Sequence, residues 1–432
     1  MIRRLSLLIV AIALLYSCSP IKRLRLESKL SKAQSENQNH IGFALYDLEQ
    51  GKFVYEFNSN KYFTPASNTK IFTFYTSLRI IGDSVPALQY ITRNDSLTFW
   101  GTGDPSFLYN KTFTNNKVYD FLINRKEKLF LSTANFYSQP FGAGWAWDDY
   151  NDSYSSERSP FPVYGNFFTV EKTGSMVTVS PDYFDQYLSI GEKREREDVI
   201  RDPHSNNFKF FPGIKRRSSD SWEIPMNLNQ DVVSALLADT LHREITNVVE
   251  KIHPLAVPVF SVPTDSLYKT MMQESDNFIA EQLLLICAGI VRDSLMTEIA
   301  IDYSMKNFLY DLPDRPKWVD GSGLSRYNLM TPRSIVMLWK KIYDVKPREK
   351  LFPLLAIGGK TGTLRRWYGA DQPYIFGKTG TLSNNHSLSG YLVTKSGKTL
   401  IFSFMNNNYL SSVNDVRSYM QSILYNIYQN YK

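Results

Sequence analysis

Apolar positions recur with two different periods along this chain, and the switches between them mark its elements. Residues 41–58 alternate around Gln50-Gly51, which predicts two strands joined by a tight turn. The segment Thr64-Pro65-Ala66-Ser67 follows, and then Ile71, Phe74, Leu78 and Ile81 fall at helical spacing. Towards the other end, residues 388–405 alternate around Ser396-Gly397, a second hairpin. Val416, Met420, Ile423, Leu424 and Ile427 predict a closing helix between Asn414 and Tyr428. An antiparallel sheet covered by helices is therefore expected from the two chain ends. The middle differs. Residues 95–235 are rich in Asn, Asp, Ser, Tyr and Phe and carry short alternating runs such as Ser175–Ser180, so they read as mostly β with long loops. Helical periodicity returns over Val232–Leu241 and Leu267–Val291, and no repeat of solenoid length is evident.

With 432 residues, 43% of them hydrophobic, the chain has material for two or three domains, which excludes disordered and collagen-like classes. Arg3 and Arg4 precede an apolar run from Leu5 to Leu15, too short to span a bilayer but suited to a signal-peptide core over residues 1–17. The run ends at Leu15-Tyr16-Ser17-Cys18, which resembles a bacterial lipobox. Cys18 is thus expected to carry lipid, tethering a periplasm-facing chain to a membrane. Losing Arg3 and Arg4 lowers the formal charge from +7 to +5, a modest value that gives no nucleic-acid patch in an exported chain. Lys22, Arg23, Arg25, Lys29 and Lys32 read as the solvated face of a helix that turns Ile21, Leu24 and Leu30 inward. Cys287, in the run LLLICAGIV, reads as a buried small hydrophobe. The five histidines form no HExxH pattern and no CxxC exists, so neither a metal nor an organic cofactor is expected.

Three short motifs follow one another in order. Ser67-Asn68-Thr69-Lys70 places a hydroxyl at a helix start and an amine one turn on, on the same face. Positive helix-end charge favours a developing alkoxide, and a lysine of lowered pKa can take the serine proton. Ser275-Asp276-Asn277, ahead of a long helical run, offers a hydroxyl to relay a proton and an amide to hold a substrate backbone. Lys-Thr-Gly occurs at Lys172, Lys360 and Lys378. Lys172 precedes Ser275 and is out of order. Lys360 runs into Arg365-Arg366-Trp367, a poor strand, whereas Lys378 leads into the C-terminal hairpin. There, Lys378 and Thr379 can grip a carboxylate, Gly380 lets a ligand approach the strand, and the backbone beyond can face an oxyanion. Ser67 and Ser275 lie 208 positions apart, more than a compact acyl-transfer domain needs, and the excess coincides with the Asn/Tyr-rich middle.

These motifs, with Gly101-Thr-Gly-Asp-Pro105, Gly144-Trp-Ala-Trp-Asp-Asp149, Ser275-Asp-Asn-Phe-Ile-Ala-Glu281, Asp320-Gly-Ser-Gly-Leu-Ser-Arg326 and Ser389-Gly-Tyr391, resemble the D-Ala-D-Ala carboxypeptidase/endopeptidase family, the low-molecular-mass class C penicillin-binding proteins. The resemblance implies an α+β fold: a serine penicillin-recognising (β-lactamase/transpeptidase-like) domain with an antiparallel sheet flanked by helices, and mostly-β insertions between the first two motifs. The domains are then expected at 1–17 (signal peptide), 18–35 (lipidated N-terminus and helix), 36–88 and 261–432 (penicillin-binding domain), and 89–260 (insertions). It implies Ser67 as the acylated nucleophile, Lys70 as its base, Ser275 as proton relay, and Asn277 as holder of substrate and lysine. Lys378 and Thr379 would take the terminal D-Ala carboxylate, beside Gly380 in the substrate-binding strand, and the N–H groups of Ser67 and Thr381 the oxyanion. Asp148 or Asp149 would meet the amino end of a diaminopimelate side chain, Arg326 would line the cleft, and Asp320 would shape its loop.

The expected partners are peptidoglycan stem peptides, with β-lactams as covalent inhibitors. Carboxypeptidase and endopeptidase action stay open at this point, as does the membrane that holds the anchor. Two other classes share parts of the pattern: a serine β-lactamase, for which no water-activating glutamate is identified, and an inactive wall-binding lipoprotein, against which the intact motif set argues.

Overall fold

The computed structural model describes residues 25–109, 112–215 and 220–432. The signal peptide, Cys18, Ile21 and Leu24 lie outside the described residues. The chain divides into two units, one formed by the residues up to Pro65 with Pro313–Pro316 and Leu329–Lys432, the other by Ala66–Leu312 and Lys317–Asn328.

The first unit is built on a six-stranded antiparallel sheet in the order Ala356–Ile357, Ile375–Leu382, Asn385–Val393, Thr399–Asn407, His40–Asp47, Lys52–Phe57. The first and last hairpins of the sequence thus meet at its centre, His40 opposite Asn407 and Asp47 opposite Leu400. Alternation is masked in the central strands, because His40–Asp47 is buried at every position after the first. Both faces are covered. Phe43, Leu45, Leu388 and Leu392 face a core made with Leu26, Leu30, Leu424 and Ile427, from the helices Leu26–Asn37 and Val413–Asn430. The opposite face meets the helix Pro332–Val345, whose Trp339 donates to Ser389 Oγ at 2.8 Å. A sheet buried on both sides favours near-continuous apolar runs over strict alternation. The first helix starts at Leu26, so Leu26 and Leu30 make its inward face.

The second unit holds the helices Lys70–Ile80, Thr264–Gln273, Asn277–Arg292 and Thr297–Asn307. The periodic stretch 267–291 is two helices, broken where Ser275 takes a φ of +66° and Asp276 caps the next by accepting from Ile279 N at 2.8 Å. A five-stranded sheet in the order Ile245–Val248, Lys128–Ser132, Ser96–Gly101, Ser84–Arg93, Val257–Pro263 opens and closes the middle region. It is mixed: Lys128–Ser132 runs parallel to both its neighbours. The expected divisions at 88/89 and 260/261 fall inside two strands that pair with each other, Leu88 opposite Val259. Three short sheets between residues 167 and 225 complete the region around a separate core of Phe168, Phe184, Phe208 and Trp222. Among the described residues, no helix is long and apolar enough to cross a membrane.

Candidate active site

Ser67 lies on a 3-10 turn, Ala66–Thr69, that runs directly into the helix Lys70–Ile80. This continuity puts Lys70 Nζ 2.9 Å from Ser67 Oγ. Lys70 is fully buried. Its amine also donates to Asn277 Oδ1 at 2.6 Å and to the Ser322 carbonyl at 2.7 Å. Burial drives the ammonium down to about 8, against the opposing pull of Asp320, Asp276 and Glu281. A buried amine near neutrality with a serine hydroxyl in reach is a poised proton acceptor.

The turn is held in an unusual backbone state. Ala66 has a φ of +50°. Gly323, itself at +84°, passes so close that a Cβ there would stand 2.0 Å from the Ala66 carbonyl oxygen. The loop carrying Gly323 is organised by Asp320, which accepts from Gly323 N, Ser325 N, Asn328 Nδ2 and Trp145 Nε1 at 2.7–2.9 Å. Asp320 therefore shapes its loop, as expected. Glu281 reaches the same loop, accepting from Ser322 N at 2.7 Å through Oε1 and from Arg158 through Oε2.

Asn277 is the first residue of its helix. Its Oδ1 holds Lys70, and its Nδ2 donates to the Tyr154 carbonyl at 2.9 Å. Ser275 sits just ahead, on the strained turn between helices. Asp148 and Asp149 lie on the 3-10 segment Trp147–Asn151. Asp149 Oδ1 accepts from Tyr154 OH at 3.0 Å. Loss of water raises the Asp149 pKa, as do Asp148 and Asp152, while the Tyr154 bond and the charge of Arg326 work against that rise. Arg326 is exposed at the end of the Asp320 loop.

In the other unit, Lys378, Thr379, Gly380 and Thr381 lie on the strand Ile375–Leu382, opposite Ser389, Leu388, Ser387 and His386. Lys378 is fully buried and its Nζ donates to the Thr379 carbonyl at 2.8 Å. On the other side the neighbouring strand reaches only Phe376 and Gly377, so no strand covers Thr379–Leu382 there among the described residues. Such an edge offers backbone groups to an extended peptide. Thr381 Oγ1 lies 2.8 Å from His386 Nδ1. Burial, with Arg417, pushes this imidazole down to about 3, which keeps it neutral. The rejected Lys-Thr-Gly copies behave otherwise. Lys172 lies in a short-sheet strand and pairs with Glu197, and Lys360 sits in a turn.

Ser67, Lys70 and Asn277 are thus joined by direct hydrogen bonds, and Lys378–Thr381 form their own row. Three contributors were given no role in the sequence reading. The Ser322 carbonyl is a backbone group with no side-chain signature. Glu281 stands one helical turn beyond Asn277, a spacing that was available as a signal. Arg158 carries none.

The chain matches the model of the D-Ala-D-Ala carboxypeptidase 3 (S13) family over residues 24–427. It is 23% identical to the D-alanyl-D-alanine carboxypeptidase DacB of Haemophilus influenzae, over 90% of this chain and 89% of that one. The crystal structure of penicillin binding protein 4 (dacB) from Haemophilus influenzae superposes with a TM-score of 0.72 at 20% identity, covering 92% of this chain and 98% of that one. A predatory peptidoglycan endopeptidase from Bdellovibrio bacteriovorus gives a TM-score of 0.53 at 14% identity, covering 91% and 94%. The structural likeness bears out the expected α+β, penicillin-recognising fold. With a match that spans nearly the whole described chain, the protein belongs to the D-Ala-D-Ala carboxypeptidase 3 (S13) family of serine peptidases.

Proposed function

We propose that this chain hydrolyses D-Ala-D-Ala ends, or D-Ala–diaminopimelate cross-links, of peptidoglycan stem peptides through an acyl-enzyme on Ser67. The observation that carries the residue roles is the buried Lys70 amine, 2.9 Å from Ser67 Oγ with its pKa near 8. The neutral amine takes the Ser67 proton as Oγ attacks the carbonyl carbon of the penultimate D-Ala. The C–N bond then breaks, and the leaving amine receives a proton relayed through Ser275. Water hydrolyses the resulting ester. Asn277 and the Ser322 carbonyl fix the amine, so little orientational freedom is lost at the moment of transfer. Lys378 and Thr379 keep the carboxylate-binding role that the family resemblance implies, Gly380 leaves room for the ligand to approach the strand, and the N–H groups of Ser67 and Thr381 keep the oxyanion. Asp148 or Asp149 keeps the role of meeting the amino end of the diaminopimelate side chain, and Arg326, whose charge reaches Asp149, that of lining the cleft.

A structure of the Haemophilus influenzae protein is complexed with a β-lactam, and a Bdellovibrio bacteriovorus endopeptidase is acylated by penicillin G. Intact-mass spectrometry of the exported chain with benzylpenicillin therefore tests the proposal. A lasting adduct that Ser67→Ala abolishes is the expected result. Drug hydrolysis without a lasting adduct would instead indicate a β-lactamase, and neither adduct nor turnover a wall-binding protein. The lipobox-like Leu15–Cys18 supports lipid anchoring in the periplasm. Cys18→Ala should then release the protein from the membrane fraction.

A further inference from the structure

The hexapeptide Gly359–Leu364 repeats Gly377–Leu382 letter for letter, yet it forms no strand. Gly359 N donates to both the Leu364 and Trp367 carbonyls, at 3.1 and 2.7 Å, closing residues 359–367 into a tight loop. Gly362, at a φ of +57°, opens the 3-10 turn Gly362–Leu364. Leu364 and Tyr368 are buried in the sheet core, and Tyr368 N donates to Gln421 Oε1 at 2.8 Å. Arg365 and Arg366 are both exposed and ride on this pinned base. With Thr363, Trp367, Asn414 and Arg417 they line an open cleft of about 440 Å³. Arg417 Cζ lies 5.9 Å from the centre of the Trp367 ring. No carboxylate lines the cleft among the described residues. Asp415, the acid closest to it in sequence, accepts from Ser412 N and Oγ as part of a helix cap. Three guanidinium groups on a fixed frame favour an anionic occupant, and carboxylates suit their fork geometry.

The cleft adjoins the carboxylate-binding strand, because Thr379 Oγ1 donates to Thr363 Oγ1 at 2.7 Å. Thr379 takes the carboxylate of the departing residue under the function proposed above, so the arginines lie on the leaving-group side of the scissile bond. We propose that Arg365, Arg366 and Arg417 form a subsite for an acidic leaving peptide, which biases this enzyme towards cross-linked substrate. The inference rests on the carboxypeptidase/endopeptidase reading. Whichever substrate is cut, the amide C–N bond breaks, the acyl group passes to Ser67 Oγ, and the amine departs with a proton. Only the departing group differs. From a D-Ala-D-Ala end it is free D-alanine, whose one carboxylate Lys378 and Thr379 already hold. From a cross-link it is a second stem peptide with further carboxylates, which reach past Thr379 to the arginines.

The test compares the wild-type exported chain with Arg365→Glu/Arg366→Glu, with Arg365→Gln/Arg366→Gln and Arg417→Gln as milder variants. Each is given a purified cross-linked peptide dimer and an uncross-linked pentapeptide. The readout is the ratio of kcat/KM for cross-link cleavage to kcat/KM for D-Ala release, at low and high salt. The ratio should fall about tenfold in the double glutamate variant at low salt, less in the glutamine variants, and the difference should shrink at high salt. A ratio that stays unchanged, or falls equally at both salts, overturns the subsite. Benzylpenicillin adduct formation is measured on the same preparations. If the wild type forms the adduct and the ratio does not move, the subsite alone fails. If the wild type forms no adduct and turns over neither peptide, the reading beneath it fails and takes the subsite with it.

Discussion

Replacing Glu281 by glutamine tests how the Lys70 amine is tuned. Glu281 and Arg158 form an ion pair with side chains 1% and 4% exposed. The Glu281 carboxylate also accepts from Ser322 N, in the residue whose carbonyl holds Lys70. Glutamine keeps the shape and one acceptor but loses the charge, and its amide N–H groups must face either Arg158 or the Ser322 N–H. Breaking a buried pair from one side costs about 3–5 kcal/mol, and the retained acceptor places this change at the low end, about 3 kcal/mol. In a unit of this size that lowers the melting temperature by about 6 °C. A second effect runs the other way. Glu281 is the weakest of three carboxylates that hold the Lys70 pKa up near 8. Without its charge the ammonium loses its proton more readily, so the acid limb of the acylation profile should move to lower pH, by about half a pH unit. The assay is benzylpenicillin acylation followed by intact mass from pH 5.5 to 9, beside a thermal melt. A variant that is less stable yet relatively faster at acid pH is the expected outcome. An acid limb that stays in place or moves to higher pH would refute the electrostatic account of Lys70, whatever the melt shows.

Other consequences can be measured directly. In the wild type, acylation should fall about tenfold per pH unit below about 8 and level off above it, because only neutral Lys70 accepts the Ser67 proton. Lys70→Met should lower acylation by about three orders of magnitude or more while the protein stays folded by circular dichroism. Gly323→Ala should cost about 2–4 kcal/mol in chemical denaturation and slow acylation, since the new Cβ meets the Ala66 carbonyl beside the nucleophile. Cys287 is fully buried and its thiol is pushed up to about 12, so native protein should resist iodoacetamide and react only on unfolding.

The candidate catalytic groups were legible because the chemistry proposed for them depends on short spacings that the chain fixes locally. Ser67 and Lys70 stand three residues apart at a helix start, and the structure keeps them 2.9 Å apart. Lys378 was separable from its copy at Lys360 because strand-forming residues follow only the former. The helix Pro332–Val345 was missed although Thr331-Pro332 is a recognisable start: Thr331 Oγ1 accepts from Ser334 N, and proline sits at the first helical position. The expected edges of the middle region fall inside Ser84–Arg93 and Val257–Pro263, which pair across more than 150 residues, and local periodicity carries no trace of such a partner. The Ser322 carbonyl escaped for a different reason, since any residue type supplies a backbone oxygen.

The central pairing of the sheet, His40–Asp47 with Thr399–Asn407, has a consequence for biosynthesis. The first strand leaves the ribosome some 360 residues before its partner. At roughly 5–20 residues per second that interval is about 20–70 s. Everything from Ala66 to Leu312 is made within it, so the helices Lys70–Ile80 and Asn277–Arg292 are complete while the nascent sheet still has an open side. Closing it brings together segments from opposite termini, the kind of non-local step that slows folding and leaves apolar strands exposed. Chains truncated anywhere before residue 399 should therefore be strongly prone to aggregation and proteolysis even when both acyl-transfer motifs upstream are intact.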